Sequence, residues 1–299
     1  MHKALFLKRY EQLGHAFNPE TTTPRPAIRI NTLKTTPQQL TTRLKRKGAR
    51  LTRIPWLKHG YWYSAPFSLG ATPEYLQGYY YLQGAASQLA AEILNPAPNT
   101  SVIDMAAAPG SKSTHLAQIM QNTGVLTCLD IKTKRLTTLR NNLERCGVTN
   151  AITYRKDARF ATDLGKTYHS ILLDAPCSGN WPADKTWPEN KTIDTFKHLA
   201  KTQRELLKAA WHCLKPGGTL LYSTCSLEPE ENELVINWFL NKYPTATLEP
   251  INTPIGDHGL TTIFGHTLNP LLARTKRLWP DKTGTEGFFY AKIKKPTKP

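Results

Sequence analysis

The stretch Ser101-Val-Ile-Asp-Met-Ala-Ala-Ala-Pro-Gly-Ser-Lys112 decides how this chain is read. A short apolar strand runs into a loop of small side chains with one proline and one glycine, and a helix-forming segment follows at once. In an α/β sheet, such a turn lets a ligand lie against backbone while the helix N-terminus offers it free N–H groups. The loop has neither a GxGxxG pattern nor a GKS or GKT ending, which argues against a pyrophosphate cradle. A ligand carrying a ribose and a carboxylate suits it better.

The residues on either side support that reading. Strands are expected at 101–105, 125–130, 151–156, 170–174 and 219–223, with helices at about 112–121, 134–146, 202–214 and 230–242 between them. GFFYAKIKK supplies a closing strand. Strands alternating with helices predict a doubly wound α/β sheet. Asp104 belongs to the loop itself, Asp130 ends the second strand and Asp157 follows the third. Carboxylates at the carboxyl ends of successive strands line the edge where such sheets bind ligands. Asp130 is placed for ribose hydroxyls and Asp157 for an adenine amino group. Each Asp taken alone has the plainer reading of a cap or turn residue.

Upstream the pattern differs. AIRINTL, ARLTRI and GYWYS are β-prone and flank the polar, helix-like PQQLTTRLKRKG, which predicts a small α/β module. The Ala/Leu-rich run QGAASQLAAEILN has helical spacing and stops before Pro96. The expected division is therefore a basic module with a linker helix over 1–95 and a larger domain over 96–299.

Charge is unevenly spread along the 299 residues, whose net charge is +17. Residues 1–100 hold 13 Lys/Arg against 4 Asp/Glu and residues 270–299 hold 8 against 2, whereas the middle is nearly balanced. Basic flanks suit a polyanion such as RNA, and a basic solvated surface is the competing reading. Lys34, Arg43, Lys45, Arg46, Lys47, Arg50 and Arg53 lie near Trp56, Tyr61, Trp62 and Tyr63. Aromatic planes stack on bases while cations neutralise phosphates, although the same aromatics can be the core of a small sheet. The five cysteines include no CxxC pair, which argues against a disulfide framework or a zinc site. No metal site is expected, since the histidines lack ligand spacing. With no long apolar run, the expectation is a cytoplasmic monomer that does not engage a membrane.

Two cysteines stand apart. Asp174-Ala-Pro-Cys177-Ser-Gly ends the fourth strand of the larger domain and Ser223-Thr-Cys225-Ser ends the fifth. Cys128, Cys146 and Cys213 fall within strands or helices and read as small hydrophobes, whereas Cys177 and Cys225 are flanked by turn-formers and hydroxyls. Carbon 5 of cytosine is too weak a nucleophile to take a methyl group unaided. A thiolate that adds to carbon 6 makes carbon 5 enamine-like and can later leave. A carboxylic acid near N3, here Asp174, relieves the charge that develops on the ring. Glu228, Glu230, Glu231 and Glu233 are read first as capping charges at a helix start.

These residues resemble the RNA 5-methylcytosine methyltransferases of the Fmu/Sun type. The resemblance rests on DMAAAPGSK, Asp130 with Arg135, Asp157, DAPCSGN, YSTCSLEPEENE and GFFYAK, and spans about 75 to 295. It implies a Rossmann-like class I methyltransferase sheet of seven strands with the last antiparallel, preceded by a small α/β RNA-binding module. It also implies that Ala106, Ala107, Ala108, Pro109, Gly110, Ser111, Lys112, Asp130, Arg135, Asp157 and Asp174 contact S-adenosylmethionine. Cys225 would be the nucleophile and Cys177 would aid product release. Ala106 and Ser111 depart from the residues common in the family, Cys and Gly, yet both are small. The DAPCSGN ending and the short length look most like the compact archaeal tRNA enzymes. The alternatives are an rRNA cytosine-5 methyltransferase, a methyltransferase for exocyclic amines or small molecules, and a non-catalytic RNA-binding assembly factor.

Overall fold

The computed structural model describes residues 2–297. Helix α1 (His2–Gln12) comes first. Strands β1 (Ala27–Ile30), β2 (Arg50–Arg53), β3 (Gly60–Ser64) and β4 (Tyr80–Leu82) then form an antiparallel sheet in the order β2-β3-β1-β4. Helix α2 (Pro37–Arg46) starts where Thr36 and Gln39 cap each other's backbone N–H groups, with Pro37 at a position that needs no donor. Leu40 and Leu44, one turn apart, are fully buried with Ile28, Ile30 and Tyr80, and Arg43, Lys45, Arg46 and Lys47 are exposed. Trp62 is buried beneath the Arg25 guanidinium, 4.7 Å from its ring, while the half-buried Tyr61 and Tyr63, on the other face of the strand, pack against the core of Ile28, Leu40 and Leu44. Tyr61 and Tyr63 thus have the packing of a small-sheet core. Helices α3 (Pro73–Leu76) and α4 (Ala85–Leu94) follow, α4 ending at Asn95 in the left-handed conformation, φ 41°, just before Pro96.

The larger sheet contains β5 (Ser101–Asp104), β6 (Val125–Asp130), β7 (Ala151–Arg155), β8 (Tyr168–Asp174) and β9 (Leu214–Thr224). Then come four two-residue strands, β10 (Thr247–Leu248), β11 (Asp257–His258), β12 (Thr262–Ile263) and β13 (His266–Thr267), and finally β14 (Lys276–Leu278) and β15 (Phe288–Lys294). The order is β11-β14-β15-β9-β8-β5-β6-β7, with β10 added against β15 and β12-β13 a separate hairpin. The closing strand β15 is antiparallel to both β9 and β14, as the resemblance implied. The two short strands β10 and β11 extend the seven expected strands to nine.

By compactness the chain divides into Arg25–Leu172 and a second unit made of the residues up to Pro24 with those from Leu173 onward, the change falling inside β8. In the first unit β5, β6 and β7 pair in parallel, as do β5 and β8. Val102, Ile103, Leu126, Leu129, Ile171 and Leu172 are fully buried, the near-continuous apolar pattern of parallel strands covered on both faces. Helix α5 (Ser111–Ile119) follows the loop after β5, and α6 (Thr133–Arg145) turns Leu136, Leu139 and Leu143 inward at helical spacing.

The second unit holds α7 (Trp187–Asn190), α8 (Ile193–Cys213), α9 (Glu233–Lys242) and α10 (Pro280–Thr283). Phe6 and Tyr10 of α1 pack into its core beside Trp181, Trp187, Phe196 and Trp279. Helix α8 is longer than the expected 202–214, because Thr192 and Thr195 form a capping box that starts it at Ile193. The acidic run is also corrected. Only Glu233 stands in the first turn of α9, and Glu228, Glu231 and Glu233 are completely buried. Arg9 donates to Glu228 at 2.9 Å and to Glu230 at 2.7 Å, while Arg277 donates to Glu233 at 2.5 Å. Glu228, Glu230 and Glu233 are internal partners of distant cations and Glu231, among the described residues, accepts only neutral donors, so no surface capping role describes the run. Among the described residues no helix is long and apolar enough to cross a membrane.

Candidate active site

In the first unit the loop after β5 is tied down from several directions. Asp104 accepts the Ser113 hydroxyl at 2.7 Å and the Ala106 N–H at 3.3 Å, so this acid holds the loop against α5. The Ala107 N–H donates to the Leu129 carbonyl at 2.8 Å, and Asn142 of α6 donates to the Pro109 carbonyl at 2.9 Å. Gly110 has φ +106°, a left-handed conformation that favours glycine, and a Cβ there would press on the Leu139 side chain at 3.0 Å. Ala107, Ala108 and Lys112 are buried, while Ala106 and Ser111 are half-buried.

Asp130, buried at the end of β6, accepts the Lys132 N–H at 2.9 Å and faces Arg135 Nε at 3.6 Å. The Arg135 guanidinium in turn donates to the Ala108 carbonyl, so loop, carboxylate and cation form one connected group. The Lys156 N–H donates to the Asp130 carbonyl, which brings the start of the next turn alongside. Asp157 caps that turn through the Arg159 N–H and pairs with the Arg159 guanidinium at 2.6 Å. The hydrogen bond from Arg159 holds its carboxyl below the usual range.

In the second unit the structure brings Asp174, Cys177 and Cys225 together. The Ala175 N–H donates to the Ser223 carbonyl and the Ser223 hydroxyl to Asp174 Oδ1, both at 2.8 Å, which locks the ends of β8 and β9 side by side. Two and three residues further on, the Sγ atoms of Cys177 and Cys225 are 3.0 Å apart, both as free, partly exposed thiols. The hydrogen bond between them and then burial push the Cys177 thiol well above its usual range, with the Glu231 charge acting in the same direction. Cys177 therefore keeps its proton at neutral pH. Cys128, Cys146 and Cys213 are buried, and burial raises all three thiols.

Sequence reasoning missed the groups that fasten the two cysteine loops. Asn180 donates to the Cys225 carbonyl at 2.8 Å, and Trp187 donates to the Ser178 carbonyl at 2.8 Å. Ser178 and Ser226 both donate to Glu231. A signal was present, since each cysteine motif reads Cys-Ser and an acidic run follows the second. Among the described residues, no cluster of His, Cys, Asp and Glu could hold a metal ion.

A doubly wound sheet with an antiparallel closing strand and a small-residue loop after its first strand define the class I methyltransferase fold. The chain belongs to the 16S rRNA methyltransferase RsmB/F family, whose model matches residues 91–294, and the model of the N-terminal domain of 16S rRNA methyltransferase RsmF matches residues 2–85. This agrees with the resemblance carried by the motifs. A mouse 28S rRNA (cytosine-C(5))-methyltransferase is 40% identical over 284 residues, covering 91% of this chain and 35% of that protein. Ribosomal RNA small subunit methyltransferase F of Klebsiella pneumoniae is 38% identical over 286 residues, covering 91% of this chain and 57% of its own length. The chain thus spans only part of these curated relatives. A methyltransferase homolog from Pyrococcus horikoshii superposes with a TM-score of 0.86 at 39% identity, covering 97% of this chain and 94% of the other. NSun6 from the same organism, solved with SFG, gives 0.82 at 28% identity over 100% of this chain and 97% of that one.

Proposed function

We propose that this chain transfers a methyl group from S-adenosylmethionine to carbon 5 of a cytosine in RNA, with Cys225 as the covalent nucleophile. The observation that carries this reading is the 3.0 Å approach of Cys177 and Cys225 beside the Asp174–Ser223 pair. One thiol suffices to add to a substrate, whereas two in contact suit a cycle of addition and release. The name of the mouse relative supports transfer to cytosine carbon 5, and that of the Klebsiella relative supports methylation of RNA.

The residues around the loop after β5 fit S-adenosylmethionine. A buried carboxylate at a strand end suits ribose hydroxyls, and small side chains with a left-handed glycine leave backbone open to a ligand. Ala106 to Lys112, Asp130, Arg135 and Asp157 would hold it, and when bound it supplies an electrophilic methyl group on a sulfonium. The chain's own residues do the rest. Cys225 sulfur forms a bond to carbon 6, and the electron density gained by the ring is relieved by Asp174 at N3. Carbon 5, now enamine-like, becomes methylated and then gives its proton to solvent water, while Asp174 takes back the proton it lent to N3. The sulfur–carbon 6 bond breaks and Cys225 leaves, assisted by the Cys177 thiol.

Residues 1–95 grip the RNA through their exposed cations and 96–299 perform the transfer, in a protein acting as a cytoplasmic monomer. The motif resemblance points to tRNA, and the relatives' names point to rRNA. Incubation of the protein and S-adenosylmethionine with each RNA, followed by bisulfite mapping, is expected to reveal 5-methylcytosine that vanishes with Cys225→Ser. Undiminished methylation by that variant, or no 5-methylcytosine in either RNA, would overturn the reading.

A further inference from the structure

We infer that Glu231 is the positioning residue of the thiol pair, its carboxylate clamping the two cysteine loops so that the sulfur atoms stay in contact. This rests on the reading of Cys225 as nucleophile. Glu231 is completely buried, and among the described residues no cationic side chain pairs with it. Its four lone-pair sites are instead filled by donors. Oε1 accepts the hydroxyls of Ser178 and of Ser226, the latter at 2.8 Å. Oε2 accepts the Ser178 N–H at 3.0 Å and Gln203 Nε2 at 2.9 Å.

The arrangement is nearly symmetric. Ser178 and Ser226 each follow directly after one of the cysteines, and their hydroxyls stand 3.2 Å from each other. One carboxylate thus reaches both loops one residue beyond the sulfur atoms, where a shift of either serine must move its cysteine. Burying a carboxylate without a cation is expensive, and hydrogen bonds must offset the lost hydration. A purely structural anchor would be served as well by an apolar contact, whereas an acceptor-only group satisfied by donors from both loops fixes their separation. Gln203, on the long helix α8, also donates to the Pro176 carbonyl at 3.0 Å, so the clamp is braced against the residue before Cys177.

The test uses the full-length protein without RNA and a fluorogenic bis-alkylating bimane, which becomes fluorescent when it joins two neighbouring thiols. Wild type is expected to bridge Cys177 to Cys225, assigned by peptide mass, because the other three thiols are buried. Glu231→Ala is expected to lose most of this bridging and about 100-fold in kcat, with the RNA KM within about twofold, as misplacement of reacting groups predicts. Glu231→Gln is expected to restore bridging and most of kcat. Its amide oxygen keeps the two N–H donors and its NH2 meets serine hydroxyls that can turn to accept. Wild-type bridging in Glu231→Ala, or no rescue by Glu231→Gln, would overturn the clamp. Should Glu231→Ala not fold, Ser178→Ala with Ser226→Ala carries the same expectation, and unchanged bridging there overturns it. Bridging that behaves as expected in a protein that methylates no RNA would refute the proposed function and leave the clamp standing.

Discussion

Cys177 and Cys225 lie 48 residues apart in the chain, yet their sulfur atoms stand 3.0 Å from each other at the ends of adjacent strands. Contact at this distance gives each thiol a way to influence the other during a reaction. The first prediction follows from the division of labour that this contact supports. Cys177→Ala leaves Cys225 free to add to the cytosine while slowing its release, so RNA should accumulate covalently on the protein and resist denaturing electrophoresis. Absence of a trapped species, with Cys225→Ser also showing none, would remove the release role.

Asp130 supplies the buried carboxylate expected at the ribose of the methyl donor. Replacing it by Ala removes one charge-assisted hydrogen-bonding group, worth about 1.5–3 kcal/mol. Affinity for S-adenosylmethionine measured by calorimetry should fall about 10- to 100-fold, with RNA affinity unchanged. An unaltered affinity would exclude Asp130 from the donor site.

The exposed cations of α2 are expected to meet phosphates. Arg43→Glu with Arg46→Glu should weaken RNA binding about tenfold or more and flatten its salt dependence, because fewer counterions are released. Binding of S-adenosylmethionine should be untouched. A wild-type salt slope retained in this variant would place the RNA elsewhere.

Burial raises the Glu228 carboxyl from 4.5 to about 7, against the opposing pull of Arg9. The folded chain therefore holds this proton more tightly than the unfolded chain does. As pH rises from about 4.5 towards 7, the contribution of this group to stability falls, and above 7 the loss is complete. Glu228→Gln removes the titration, so urea unfolding should show the variant gaining relative to wild type at pH 8 compared with pH 5. A pH-independent difference would show that the carboxyl titrates normally.

Arg277 and Glu233 form a fully buried ion pair, and Arg277 also donates to the Leu227 carbonyl at 2.6 Å. Arg277→Met strands a buried carboxylate and should cost about 3–5 kcal/mol in urea unfolding. Arg277→Met with Glu233→Leu should recover much of that loss, since two apolar side chains need no partner. Equal losses in the single and double variants would mean that packing, and not the unpaired charge, dominates.

The parallel core strands, α6 with its inward leucines, the small-residue loop and both Cys-Ser motifs were legible in the sequence. Each is announced by a local signal such as a run of apolar residues, a helical period or turn-formers after a strand. The start of α8 was missed although Ile193, Phe196 and Ala200 keep a helical apolar period, because polar residues surround them and the start is set by a cap at Thr192.

Sequence by itself determined where the strands lie, which loop can accept a ligand and which cysteines stand at strand ends, because periodicity and turn chemistry act between near neighbours. Only the tertiary structure decided that Glu228, Glu231 and Glu233 are buried and what each one meets. Arg9 reaches Glu228 across 219 residues, and Glu231 receives donors from both cysteine loops and from α8. A buried charge needs a partner of the right geometry, and that partner is chosen by the fold's long-range contacts, for which a linear pattern has no register.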